Sequence, residues 1–84
     1  MARILVVDDE KSLRLLYELE FTQDGHEVDL AGNADQGIEK VSANEYDVVI
    51  LDIRMPGKDG LEALGEMLAA RRDVKVIINS AYTT

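Results

Sequence analysis

Asp47-Val48-Val49-Ile50-Leu51-Asp52-Ile53-Arg54-Met55-Pro56-Gly57-Lys58-Asp59-Gly60 is the stretch on which the fold turns. Residues 48–52 form a continuous apolar run that ends in a carboxylate, the pattern of a parallel strand buried on both faces. Pro56-Gly57 and Asp59-Gly60 then mark a loop. A carboxylate at the C-terminal end of a central parallel strand stands where open α/β sheets bind ligands. Taken alone, Asp52 would read as a turn or helix-capping aspartate. Two more acids take it out of isolation.

Upstream, Arg3-Ile4-Leu5-Val6-Val7 repeats the buried-strand pattern and also ends in acids, Asp8 and Asp9. Residues 11–24 read as a helix: Leu13, Leu16, Tyr17 and Glu20 recur at helical spacing, and Leu15, Leu19 and Phe21 broaden the apolar face. Gly25 closes it as the residue after the C-cap. Residues 27–31 alternate apolar and polar, as a half-exposed strand near a sheet edge does. Asn33 caps a second helix over residues 34–43, whose buried stripe is Ala34, Gly37, Ile38 and Val41. Downstream of the opening stretch, residues 61–70 form a third helix with Leu61, Leu64 and Leu68 toward the core. Arg71-Arg72 suits its C-terminus through the macrodipole. Residues 74–80 form the last strand, and Ala81-Tyr82-Thr83-Thr84 a tail.

The order is β-α-β-α-β-α-β. Alternation at this spacing implies a parallel sheet with right-handed crossovers. The 84 residues amount to one domain at most. No linker, low-complexity segment or sequence repeat interrupts them.

Composition narrows the function. The chain has 17 acidic and 9 basic residues, a net charge of −8. That argues against direct contact with a nucleic acid backbone or an anionic membrane, and is compatible with a divalent cation. With no cysteine, disulfides, thiolate nucleophiles and thiolate metal sites are excluded. No apolar run approaches the roughly 20 residues a membrane span needs. The first seven residues are too short for a signal peptide, so the cytoplasm is expected.

In a doubly wound sheet the first and third strands are neighbours at the topological switch point. Their ends would bring Asp8, Asp9 and Asp52 together. Close carboxylates raise one another's pKa, and a hard cation such as Mg²⁺ relieves that repulsion with the oxygen ligands it prefers. A metal so held can neutralise phosphoryl oxygens. Asp52 as nucleophile would form an acyl phosphate, and the hydroxyl of Ser80, at the end of the fourth strand, can donate to a phosphoryl oxygen.

These residues resemble the receiver domain of two-component response regulators. The matching segments are Ile4-Leu5-Val6-Val7-Asp8-Asp9-Glu10, Tyr46-Asp47-Val48-Val49-Ile50-Leu51-Asp52, Met55-Pro56-Gly57 with Asp59-Gly60, and Ser80-Ala81-Tyr82. The resemblance covers the whole chain. It implies a flavodoxin-like, doubly wound parallel sheet, here incomplete: four strands in the order 2-1-3-4 with three helices, residues 1–84 being the N-terminal portion of one receiver. It implies that Asp52 accepts a phosphoryl group from a sensor histidine kinase or a phosphotransfer protein. Asp9 corresponds to the direct Mg²⁺ ligand, with Asp8 acting through water. Arg54 lies where the family offers a backbone carbonyl to the metal, and Ser80 where it places its switch hydroxyl. A receiver assists its own phosphotransfer and turns over no external substrate.

The family carries a further helix, strand and helix, with a lysine at the end of that fifth strand. That lysine has no counterpart among these residues, so phosphotransfer by the 84-residue chain is expected to be slow or absent. The end at Thr84 reads as an artificial boundary. The fourth strand, left as an apolar edge, is expected to join copies into a dimer or larger assembly together with the uncovered sheet face. A competing reading is an assembly module that keeps the receiver shape without phosphorylation. A phosphoaspartyl hydrolase is disfavoured, because Arg54 stands where that chemistry needs an acid. Glu10 reads as an early helix acid, Lys11 as solvated, His26 as a turn residue, Tyr17 and Phe21 as core, and Met1, Met55 and Met67 as forming no stripe.

Overall fold

A computed structural model describes residues 1–53 and 60–79. Seven elements alternate: β1 (Arg3–Val7), α1 (Lys11–Gln23), β2 (Glu27–Ala31), α2 (Ala34–Ala43), β3 (Val48–Asp52), α3 (Gly60–Ala70) and β4 (Lys75–Asn79). The four strands are all parallel, in the order β2-β1-β3-β4. This is the doubly wound sheet expected from the alternation. β2 and β4 are its edges among the described residues.

Register sorts the strand residues between two faces. Leu5 lies opposite Val49, and Val7 opposite Leu51. These four, fully buried, pack against Ala34 and Val41 of α2 and Ala63 and Met67 of α3. The alternate residues, Ile4 and Val6 of β1 with Val48 and Ile50 of β3, point to the other face, since side chains alternate along a strand. There α1 covers β1 well enough to bury Ile4 and Val6, but Val48 and Ile50 stay half-buried. Residues 48–52 are therefore not buried on both faces as their apolar run suggested. On β4, Ile77 is 55% exposed and Ile78 40%. Among the described residues, the apolar edge and the open face expected from the sequence are both present.

Local chemistry explains the boundaries. Asn33 caps α2: its side chain accepts from the Gln36 N–H, while the Gln36 side chain accepts from the Gly32 N–H. This is a reciprocal cap that satisfies two donors at the helix start. Gly25 follows α1 with a φ of 87°, a left-handed conformation that glycine adopts without steric cost. Glu10 lies just outside α1, as its N-cap residue, and its side chain makes no capping hydrogen bond.

Two apolar faces differ from expectation. In α3 the buried residues are Gly60, Ala63 and Met67, with Leu64 packed at the margin, whereas Leu61 is 63% exposed and Leu68 is exposed as well. The spacing is as read, but the helix is turned by one residue, roughly 100°. Small residues at 60 and 63 let the helix axis approach the sheet, and a leucine stripe would hold it away. Met67, for which no stripe was expected, fills the gap against Gly37 of α2. In α1 no residue is buried, and Leu15, Leu16 and Leu19 are exposed. Tyr17 and Phe21, expected in the core, are half-buried and stack with ring centroids 5.9 Å apart. The side chain of Asn79 on β4 donates to the Tyr17 hydroxyl, tying α1 across the open sheet face.

Candidate functional site

β1 and β3 deliver three carboxylates to one end of the sheet. Val7 and Leu51 are partners in the parallel register, and Asp8 and Asp52 lie one step further on. Asp9 follows in the connection to α1. One oxygen from each of Asp8, Asp9 and Asp52 lies within 4.8 Å of the others. Asp8 is only 2% exposed, Asp52 is half-buried and Asp9 open to solvent. The convergence expected from strand order is thus realised. Arg54 and Ser80, the other expected site residues, lie outside the described residues, as do Met55, Pro56, Gly57, Asp59 and Tyr82.

Asp8 is held from three sides. Its backbone N–H extends the β1–β2 ladder by one bond, donating to the Ala31 carbonyl at 3.1 Å. Its carboxylate accepts from the Glu10 N–H at 2.9 Å. Its carbonyl accepts from Nη1 of Arg14, on α1, at 2.8 Å. Burial pushes the Asp8 carboxyl above the usual carboxylate range. The Glu10 N–H opposes that shift, and the charges of Asp52, Asp9 and Glu10 add to it.

A buried acid beside two like charges suits a cation. The donor set is all oxygen, which Mg²⁺ prefers at about 2.0–2.1 Å in an octahedron. The three carboxylates therefore fit a hard cation such as Mg²⁺. Asp52 would combine proximity to the ion with a nucleophilic oxygen at the pocket.

Arg14 was not singled out by sequence reasoning. Its signal is a cation on α1 six residues after Asp8, which by itself reads as a surface arginine. His26 serves the opposite end of the sheet: Nδ1 accepts from the Ala2 N–H at 2.9 Å, as expected for a turn residue. A cleft of about 590 Å³ also lies at that end, lined by Arg3, Val41, Tyr46, Arg71, Val74 and Lys75 among others. Its arginines are engaged in the fold. Arg71 donates to the Val41 carbonyl and pairs with Glu45, and Arg3 pairs with Glu27 and Asp29 while stacking over Tyr46.

Comparison with known proteins agrees with this geometry. A family model described as the response regulator receiver domain matches residues 4–84. The response regulator ArlR of Staphylococcus haemolyticus is 42% identical over 84 residues, 100% of this chain and 38% of that protein. Sporulation initiation phosphotransferase F of Bacillus subtilis is 36% identical over 80 residues, 95% of this chain and 64% of that protein. The chain thus spans less than two thirds of the length of either relative. Among solved structures, the response regulator TrrA of Thermotoga maritima in complex with Mg²⁺–BeF superposes with a TM-score of 0.92 at 46% identity. The match covers 99% of this chain and 72% of that one. TrrA has also been solved in complex with the histidine kinase ThkA, where the TM-score is 0.91 at 45% identity, over 100% of this chain and 72% of that one.

Proposed function

The chain belongs to the response regulator receiver family, and on that premise we propose that Asp52 accepts a phosphoryl group from the phosphohistidine of a sensor histidine kinase or a phosphotransfer protein. A carboxylate oxygen of Asp52 forms the new bond to phosphorus as the phosphorus–nitrogen bond of the donor breaks and the imidazole leaves. The observation that carries this reading is the convergence of Asp8, Asp9 and Asp52 at the C-terminal ends of β1 and β3. Asp9 and Asp52 would hold Mg²⁺ directly and Asp8 through water, with the Arg54 carbonyl as a further ligand. The ion, when bound, neutralises negative charge on the phosphoryl oxygens. Ser80 would donate its hydroxyl hydrogen to one of those oxygens.

Such a module is a switch: it carries the phosphoryl group on its own side chain and turns over no external substrate. The resemblance to TrrA, solved with both Mg²⁺–BeF and a histidine kinase, supports metal and partner alike. We place the module in the cytoplasm, where its donors present their phosphohistidine. The acidic balance keeps this segment off nucleic acid. The exposed β4 edge and the open face beside it would join two or more copies.

The test is intact-mass spectrometry after incubation with acetyl phosphate and Mg²⁺, beside an Asp52→Asn control. A phosphoryl adduct that needs Mg²⁺ and is absent in the control supports the reading. A folded sample with no adduct would leave the 84-residue chain as an assembly module with the receiver shape.

A further inference from the structure

The two acids that follow β1 share one peptide group, and a side chain from another element holds it. The Asp8 carbonyl and the Asp9 N–H lie in the same rigid plane, because the peptide bond does not rotate freely. Whatever fixes that carbonyl also fixes the direction in which the backbone enters Asp9. The Asp8 N–H makes the last bond of the ladder to β2, to the Ala31 carbonyl, and from there that chain turns through Gly32 and Asn33 into α2. Arg14 takes the Asp8 carbonyl at this point, through Nη1 at 2.8 Å.

The guanidinium is itself confined. A β-carbon built on Gly32 would lie 3.4 Å from Arg14 Nη1 and 3.6 Å from Cζ, so the group rests against the β2–α2 turn. That turn is braced by the Gln36 side chain on the Gly32 N–H and by the Asn33 cap. Arg14 therefore spans from α1, past the Asp8–Asp9 peptide, to a reciprocally capped helix start. On the other side of the same residue, the Asp8 carboxylate is anchored by the Glu10 N–H.

We propose that Arg14 is a positioning residue for the metal pocket: by holding the Asp8 carbonyl it sets the peptide plane that aims Asp8 and Asp9 at a cation shared with Asp52. The proposal rests on the Mg²⁺ reading above. It makes a prediction opposite in sign to that of a bystander charge. A cation near three carboxylates repels Mg²⁺, so its removal by charge alone would tighten binding. Loss of a residue that orients the ligands loosens it, by about 10- to 100-fold for a partner in the shell around a metal's ligands.

The test is isothermal titration of the 84-residue chain with Mg²⁺, for wild type, Arg14→Met and Arg14→Lys. Amide hydrogen exchange at Glu10 is followed by NMR in the metal-free proteins, and thermal melts report folding. Arg14→Met is expected to weaken Mg²⁺ binding about tenfold or more and to speed Glu10 exchange. Arg14→Lys, which keeps one donor and the charge, restores most of both. A residue that merely stabilised the fold would lower the melting temperature and leave the affinity of the folded protein alone. Arg14→Gln takes the place of Arg14→Met if the latter fails to fold, with the same expectation. Unchanged or tighter binding in a folded variant overturns the proposal. No Mg²⁺ binding by the wild type overturns the metal reading itself, and the role of Arg14 with it.

Discussion

The first residue of α3, Gly60, presses so closely on Ile53 that a β-carbon built on it would stand 2.2 Å from the Ile53 Cα. Ile53 follows Asp52 directly, so this contact ties the start of α3 to the backbone that presents the candidate nucleophile. The obstacle is main chain, which cannot swing aside as a side-chain tip would. Gly60→Ala is expected to cost about 2 kcal/mol or more through overpacking. Gly65, in the same helix, has nothing within 4 Å of its β-carbon position. Gly65→Ala should stabilise the chain by roughly 0.5–1 kcal/mol, by reducing the entropy lost on helix formation. Urea denaturation of the two variants should therefore give shifts of opposite sign. A neutral Gly60→Ala would mean that α3 does not start against Ile53.

Mg²⁺ should stabilise the fold, because the acid pocket exists only in the folded chain. At a concentration 100 times its dissociation constant, a ligand of the native state adds about 2.7 kcal/mol. For a domain of this size that raises the melting temperature by roughly 10–20 °C, and EDTA should reverse it. Asp9→Asn should abolish most of the rise. In the metal-free state the same change should raise stability, since it removes one of the charges that push up the buried Asp8 carboxyl. Differential scanning calorimetry with and without Mg²⁺ reads both effects. Equal melting temperatures for the wild type in EDTA and in millimolar Mg²⁺ would rule the site out.

The Tyr46 hydroxyl should make stability fall at alkaline pH. It is buried and donates to Asp29 at 2.6 Å. Burial first, then the hydrogen bond and charge of Asp29, push its ionisation well above the ordinary tyrosine range, against a smaller opposing effect of Arg3. An unfolded tyrosine ionises near pH 10, so above that pH the unfolded chain releases a proton that the native state keeps. The stability contributed by this group is full below about pH 10 and falls as pH rises toward the folded value, by up to about 1.4 kcal/mol per pH unit. Tyr46→Phe should be less stable than wild type at neutral pH, having lost the hydrogen bond, and should close the gap above pH 10. A gap that stays constant to pH 11 in urea melts would remove Tyr46 from this role.

What the sequence made legible follows from what is local. The apolar runs ending in Asp8 and Asp52, the Asn33 cap and the Gly25 stop each depend on a few neighbouring residues, and the structure places them as read. The meeting of Asp8, Asp9 and Asp52 needed only strand order and register, which alternation of elements implies. The face of α3 was not legible, because Leu61 and Met67 satisfy the same 3.6-residue period one position apart. The choice between them depends on the close approach of Gly60 to Ile53, a contact between elements. Arg14 escaped notice for the same reason: its partner is a main-chain carbonyl, which no side-chain pattern advertises.

The outer edge of β4 should decide the solution state of the 84-residue chain. Its backbone donors and acceptors on that side meet no other strand among the described residues, because β4 ends the order β2-β1-β3-β4. Such an edge is a template for a strand from another copy. Ile77 is on the face that α1 leaves open, beside half-buried Ile50 in the register, and Leu15, Leu16 and Leu19 add exposed apolar surface on α1. Pairing would satisfy the edge and bury part of that surface at once. The wild-type chain is expected to sediment as a dimer or larger species at micromolar concentration. Ile77→Lys places a charge on the edge strand, a device that blocks strand addition, at a side chain already exposed in the single chain. It should give a monomer whose far-ultraviolet circular dichroism matches the wild type. A wild-type monomer by analytical ultracentrifugation at that concentration would show that the edge is inert. An Ile77→Lys dimer would move the interface away from β4, to the leucines of α1.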